Sequence, residues 1–447
     1  MSIESVLATL EGRQYQALAL LKEFLSIPSV SAKPEHAPDV RRCAQWVADQ
    51  CRNAQLQTSI METGGHPVVV AKNKHIPGRP TILLYGHYDV QPPEPLNLWT
   101  TPAFEPTVRK DDHGHEAIYA RGAADDKGQV MLHLEAINAL QAHGMLGVNL
   151  TVLIEGEEEI GSDNLFAFVE KYADDLRADL CVISDTSMLD RHTPSITTGL
   201  RGLLYEEIIL TGPSHDLHSG SYGGAVPNPA NVLAQIIAAF HDTQGRVTIP
   251  GFYDGVQNLT AEEKRQMDLL PFDEKRWLKD IHIPFSSGEA NYSVLERTST
   301  RPTLDVNGLT SGYQGEGAKT VLPSIASAKV SMRLVPGQDP TFVREQFEMF
   351  VRARVPQNVK LELRNFGQAS AVLTPIDSHA VRIGSAALQQ IMGKPPVMIR
   401  GGGSIPVVSA FKEHLGVDTL MIGFGLPDDR IHSPNEKFDL ECFYKGC

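Results

Sequence analysis

Four short apolar runs constrain this chain more than any other feature: TILLY (81–85), VNLTVLI (148–154), ADLCVIS (178–184) and DTLMIGFG (418–425). Each reads as a buried strand. Between the first two lies QVMLHLEAINALQAHG (129–144), an amphipathic helix that ends at Gly144. Strand, helix, strand in this order predicts an α/β domain on a mainly parallel sheet.

Each of these strands ends in a metal-ligand type of residue or leads shortly to one. TILLYGH ends at His87, with Asp89 two residues on. VLIEGEEE ends in Glu157, Glu158 and Glu159, and CVISD ends at Asp185. MIGFG is followed after a short loop by His432. A further group, RGAADDKG (121–128), sets Asp125 and Asp126 in a glycine-flanked turn just before the helix. In open α/β sheets, ligands bind beyond the carboxyl ends of the strands, so these distant residues can converge. Taken singly, each has a bland explanation: a loop histidine, a solvated acidic face, a turn with a helix cap. Those explanations fail together, because unpaired carboxylates delivered to one place are costly without a cation.

Two imidazoles and three carboxylates suit zinc, with manganese or cobalt able to use the same ligands, whereas calcium prefers more oxygens and no histidine. Two dications that share one carboxylate would be offset by three carboxylates and a hydroxide. Asp89 is placed to accept the second imidazole N–H of His87 and fix its orientation. Glu158, beside a ligand at Glu159, is then available as a general base for the attacking water.

The chain has 447 residues, enough for two or three domains. Its formal net charge of −14 gives no electrostatic reason to bind nucleic acid or an anionic membrane surface. No apolar run approaches a membrane span. MSIESVLATLEGRQYQALALLKEFL has helical apolar spacing and no basic n-region, so it predicts a packed amphipathic helix rather than a signal peptide. Five cysteines without a CxxC fit thiols in a reducing, cytoplasmic compartment. The middle of the chain reads differently. GLLYEEIILTG (202–212), KVSMRLVP (329–336) and NVKLELRNF (358–366) are strand-like, and NPANVLAQIIAAFHD (228–242) and DPTFVREQFEMFVRARV (339–355) are helical. Asp339 caps the second helix ahead of Pro340. This is an α+β domain inserted into the first. Residues 245–300 show little periodicity and are expected to be an ordered insertion.

Nine segments taken in order resemble the motifs of a zinc peptidase family. They are YGHYDVQP (85–92), YARGAADDKG (119–128), EGEEEIGS (155–162), VISD (182–185), DLHSG (216–220), GAKTVLP (317–323), RLVPG (333–337), GGGSIPV (401–407) and HSPNE (432–436). That family includes carnosinase, cytosolic nonspecific dipeptidase, glutamate carboxypeptidase and acetylornithine deacetylase, and the carnosinase and nonspecific dipeptidase branch is the most similar. The resemblance implies a catalytic domain in two parts, 1–198 and 381–447, around an inserted lid and dimerisation domain, 199–380. It implies two zinc ions per subunit, with Asp125 bridging, His87 and Asp185 on one metal, and Glu159 and His432 on the other. Asp89 and Glu158 are the implied catalytic pair. His218 resembles a histidine that reaches across a homodimer to the oxyanion. Arg333 matches an arginine for the substrate carboxylate, and Thr320, Ser404 and Arg400 match substrate-contacting positions. The expected activity is hydrolysis of dipeptides or small peptides.

Two departures qualify that expectation. Carnosinase-like members read R-E-G-G-S where this chain has Arg400-Gly401-Gly402-Gly403-Ser404. Relatives also continue into a terminal helix beyond the position of Cys447. An N-acyl amino acid deacylase or carboxypeptidase of the same family is the rival activity. A catalytically silent metal-binding scaffold would be expected to have lost the base or a ligand, and Glu158 and all five ligands are present.

Overall fold

The computed structural model describes residues 2–403 and 405–447. It divides into two compact units, Met1–Thr198 with Thr374–Ile399 and Ile405–Cys447, and Gly199–Leu373 with Arg400–Ser404. In the first unit the four apolar runs form neighbouring parallel strands. Their order is Asn149–Glu155, Thr81–His87, Leu180–Ile183, Thr419–Met421. Leu83, Val152, Cys181 and Met421 are fully buried, as strands covered on both faces require. Val68–Lys72 and Gln57–Met61 extend one edge antiparallel, and Ser195–Leu200 joins antiparallel at the other side.

Thr81–His87 comes first in sequence among the four, and the next two strands lie on opposite sides of it. The winding therefore reverses there, which opens a crevice at its carboxyl end. Helices Ile3–Leu25, Ala37–Asn53 and Lys127–Ala142 supply Leu21, Val47, Leu132 and similar side chains to the cores of this unit. The N-terminal segment is thus the packed helix its periodicity predicts. Among the described residues, no helix is long and apolar enough to cross a membrane.

The second unit carries an antiparallel sheet ordered Thr303–Ser311, Ile325–Leu334, Gly202–Thr211, Lys360–Ala369. Gly202–Thr211 alternates buried and half-buried residues along its whole length, so one face packs. Helices Pro229–Ala238 and Pro340–Arg352 start on Asn228 and Asp339, whose side chains accept from Ala230 N and Thr341 N at 2.9 Å. Leu233, Ile236, Phe240, Phe347 and Phe350 close this unit's own core. Residues 245–300 are ordered into short helices, Ala261–Asp268, Glu274–Asp280 and Val294–Ser299. Two of these open with reciprocal capping boxes, Thr260 with Glu263 and Ser293 with Glu296.

Candidate active site

At the carboxyl ends of the parallel strands the chain needs close approaches between elements. Gly86, one residue before His87, has no room for a side chain: a Cβ would lie 2.6 Å from Val130 Cγ2 and 2.9 Å from Asp126 Oδ2. The start of Lys127–Ala142 therefore rests against the strand, and Asp125 comes within reach of His87. His87 Nε2 lies 3.1 Å from Asp125 Oδ1, and both residues are buried. On its other side Asp125 Oδ2 lies 2.8 Å from His432 Nε2, which is itself 3.2 Å from Glu159 Oε2.

Two donor groups result, His87 with Asp125 and Asp185, and Asp125 with Glu159 and His432. Within each, one ligand atom per residue lies within 4.8 Å of the others. Each group holds one imidazole and two carboxylates, and they share Asp125. That donor chemistry fits divalent metal. The electrostatics agree. Burial, then the neighbouring Asp125 and Asp126, push the Asp185 carboxyl well above its usual range, against the pull of His87. Burial also raises Glu158, with Glu159, Asp125 and Asp89 adding to the effect and His87 opposing it. Burial acts on Asp125 in the same sense, but hydrogen bonds from His432 and His87 outweigh it and hold this carboxyl below its usual value. The same contacts, from Asp125 first and Glu159 second, raise His432 to about 10. Crowded carboxylates that raise one another are relieved by a cation.

Asp89 ties the two halves together. Its Oδ1 accepts from Glu158 N at 3.2 Å and its Oδ2 from Glu159 N at 3.1 Å. His87 Nδ1 faces its main-chain oxygen at 3.1 Å and its Oδ1 at 3.3 Å. One buried aspartate thus orients an imidazole and the turn that presents both glutamates. Gln91 Nε2 donates to Glu159 Oε2 at 2.8 Å and fixes that carboxylate further.

Sequence reasoning missed Glu436. Its buried carboxylate accepts from Arg121 Nη1 at 2.7 Å, Gly122 N at 2.9 Å, Ala124 N at 3.0 Å and Asp125 N at 3.2 Å. It is the socket for the loop that carries the shared aspartate. Strand Lys437–Asp439 pairs with Glu116–Tyr119 and delivers both Glu436 and the His432 loop to this place. His432 sits at φ 61°, in the left-handed region. Asn435 steadies the same loop by accepting from Thr100 N at 2.8 Å and Arg109 Nη2 at 3.0 Å. The available signal was RGAAD itself, a run of main-chain donors with little side-chain material to satisfy them.

The other expected residues belong to the second unit. His218 is exposed in the short strand Leu217–His218, which pairs with Val321–Leu322. Thr320 immediately precedes that partner strand, and its main-chain oxygen accepts from Ser219 N at 3.1 Å, so the two residues are neighbours. Arg333 is half-buried on Ile325–Leu334, opposite Leu203 and Thr303. Arg400 is held in an ion pair with Glu263 at 2.5 Å. Ser404 lies outside the described residues.

A parallel α/β sheet that gathers two imidazole–carboxylate groups around one shared aspartate has the architecture of a metal-dependent hydrolase. The chain belongs to peptidase family M20/M25/M40, whose model matches residues 83–447. It is 32% identical over 471 residues to a Cys-Gly metallodipeptidase from Candida albicans, covering 100% of this chain and 96% of that one. Among solved structures it is similar to human carnosine dipeptidase 1, with a TM-score of 0.85, 28% identity, and 100% and 97% of the two chains covered. It is also similar to the M20 family metallo-carboxypeptidase Sso-CP2 from Sulfolobus solfataricus, with a TM-score of 0.87, 36% identity and 96% of each chain covered.

Proposed function

We propose that this protein is a dinuclear zinc dipeptidase that works as a homodimer. The observation that carries the reading is the pair of donor groups sharing Asp125. The names of the dipeptidase relatives point the same way. When bound, divalent metal supplies Lewis acidity there, lowering the pKa of water and polarising the scissile carbonyl.

The chain's own residues do the rest. Glu158 takes the proton of the attacking water and returns it to the departing amine. Burial first, and then the nearby Glu159, Asp125 and Asp89, raise its carboxyl above the usual range against His87, which favours uptake of that proton. Asp89 keeps His87 and the Glu158–Glu159 turn in register. Arg333 grips the substrate's terminal carboxylate, a task for which a planar, bidentate guanidinium is suited. His218 donates to the oxyanion of the partner's site, and Thr320 beside it contacts substrate. Ser404 and the glycine run before it form a further substrate contact.

One observation favours a second reading, a carboxypeptidase or N-acyl amino acid deacylase. By the resemblance, Gly401 stands where carnosinase-like members have an acid, and the Sulfolobus relative is named a metallo-carboxypeptidase. A screen with metal-stripped protein reloaded with zinc, manganese or cobalt separates the two. It would compare dipeptides, tripeptides and N-acetyl amino acids. Hydrolysis confined to the N-acyl substrates would remove the dipeptidase assignment.

A further inference from the structure

Residues Arg400–Ser404 belong to the second unit, although the chain on both sides of them, through Ile399 and from Ile405, belongs to the first. This short strap is rich in glycine, and glycine loses more conformational freedom on ordering than any other residue. Something must hold it in shape if it is to meet a substrate in one conformation. Arg400 and Gly401 end strand Val397–Gly401, and the group that holds the glycines after them is Arg201, in the link between Ser195–Leu200 and Gly202–Thr211.

Arg201 engages the strap from both its main chain and its side chain. Its N–H donates to Gly403 O at 3.2 Å and its Nε to Gly402 O at 2.8 Å. Its Nη1 reaches Arg297 O at 3.4 Å. Arg297 lies in the last turn of Val294–Ser299, where carbonyls lack intrahelical partners and a cation is favoured. The guanidinium thus rivets the strap to a helix end of the insertion. Gly402 completes the fit. A Cβ there would lie 2.5 Å from Thr298 O and 3.3 Å from Arg201 Nη2. At the strap's start, the Arg400–Glu263 ion pair fastens it to a second helix of the same insertion. Burial, then the charge of Arg333, lower the Arg201 pKa to about 10, with Asp305 opposing, so it stays cationic at neutral pH.

We propose that Arg201 is a positioning residue for substrate binding, which pre-shapes the glycine strap by holding it between the start of Gly202–Thr211 and the end of Val294–Ser299. The inference rests on the reading of the strap as a substrate contact. Ordering the strap before the substrate arrives lowers the cost of binding without touching the proton transfers.

The test is a comparison of kcat and KM for a dipeptide that the wild type hydrolyses. Arg201→Ala is expected to raise KM roughly tenfold or more, with little change in kcat and full metal content. Arg201→Lys can reach one carbonyl but not both, and is expected to fall between. Gly402→Ala displaces the strap from its other side and is expected to raise KM in the same way. Because both changes act on one element, the double variant is expected to be no worse than roughly the more severe single one. If Arg201→Ala does not fold, Gly402→Ala and Arg201→Lys carry the test. An unchanged KM in these variants, a multiplicative double, or a loss of kcat and metal that matches the rise in KM would overturn the proposal. A wild type that hydrolyses no dipeptide would instead overturn the dipeptidase reading.

Discussion

Glu436→Gln is the most discriminating single change, because it nearly preserves shape while altering what the loop around Asp125 can bond. The carboxylate accepts four hydrogen bonds, two on each oxygen. An amide keeps one accepting oxygen and replaces the other with a donor. The oxygen is expected to stay on Arg121, whose side chain is 1% exposed and, among the described residues, pairs with no other anion. The amide NH₂ then points at the N–H groups of Ala124 and Asp125. A hydrogen bond to a charged acceptor is worth about 1.5–3 kcal/mol, so two lost bonds amount to about 3–6 kcal/mol before the loop relaxes. Stripping one partner of charge in a buried pair costs about 3–5 kcal/mol, which is the same range by an independent route. The damage falls on the residue shared by both donor groups. Metal affinity is therefore expected to drop about 10–100-fold, as is typical when a ligand's support is removed. The assay is metal content after dialysis against a graded chelator series, alongside thermal unfolding with and without added zinc. Glu436→Asp, which keeps the charge but shortens the reach, is expected to be milder. A Gln variant with wild-type metal retention and an unchanged midpoint would refute the idea that this carboxylate is the socket of the loop.

Glu158→Gln is expected to keep its metal and lose roughly 10²–10⁴-fold in kcat, the usual effect of removing a general base; release of metal would make Glu158 a ligand instead. Arg333→Ala is expected to raise KM far more for dipeptides with a free carboxylate than for their C-terminal amides, since an amide cannot take both charge-assisted bonds. Equal losses on the two substrates would assign the arginine to the structure of its own unit. Mixing inactive His218→Ala and Glu158→Ala chains under subunit exchange is expected to restore roughly a quarter of wild-type activity, since half the dimers are mixed and each has one intact site. No recovery despite proven exchange would place His218 in its own subunit's site or outside the chemistry.

Local chemistry was legible from the chain alone wherever the physics is local. The apolar runs at 81–85, 148–154, 178–184 and 418–425 specify buried strands because only burial on both faces accommodates them. Asp339-Pro340 announces a helix start because the cap and the fixed φ act within one turn. Within residues 245–300 the capping signals went unread. TAEE at 260–263 and SVLE at 293–296 are the reciprocal caps seen in the structure, although apolar periodicity is faint around them.

What the tertiary structure alone decided was adjacency. Sequence places acids and histidines at strand ends, but not the order of those strands. The reversal of winding at Thr81–His87 brings the 155–159 turn and Asp185 to either side of His87. The pairing of Lys437–Asp439 with Glu116–Tyr119 sets Glu436 under the main-chain donors of residues 122–125 and His432 against Asp125. The strap is the same case: nothing in GGGS names Arg201 as its clamp, because that contact forms only after the intervening chain has folded back on itself. Hydrogen bonds and charge pairs act over a few ångströms, and the chain brings such partners together only through the packing of everything between them.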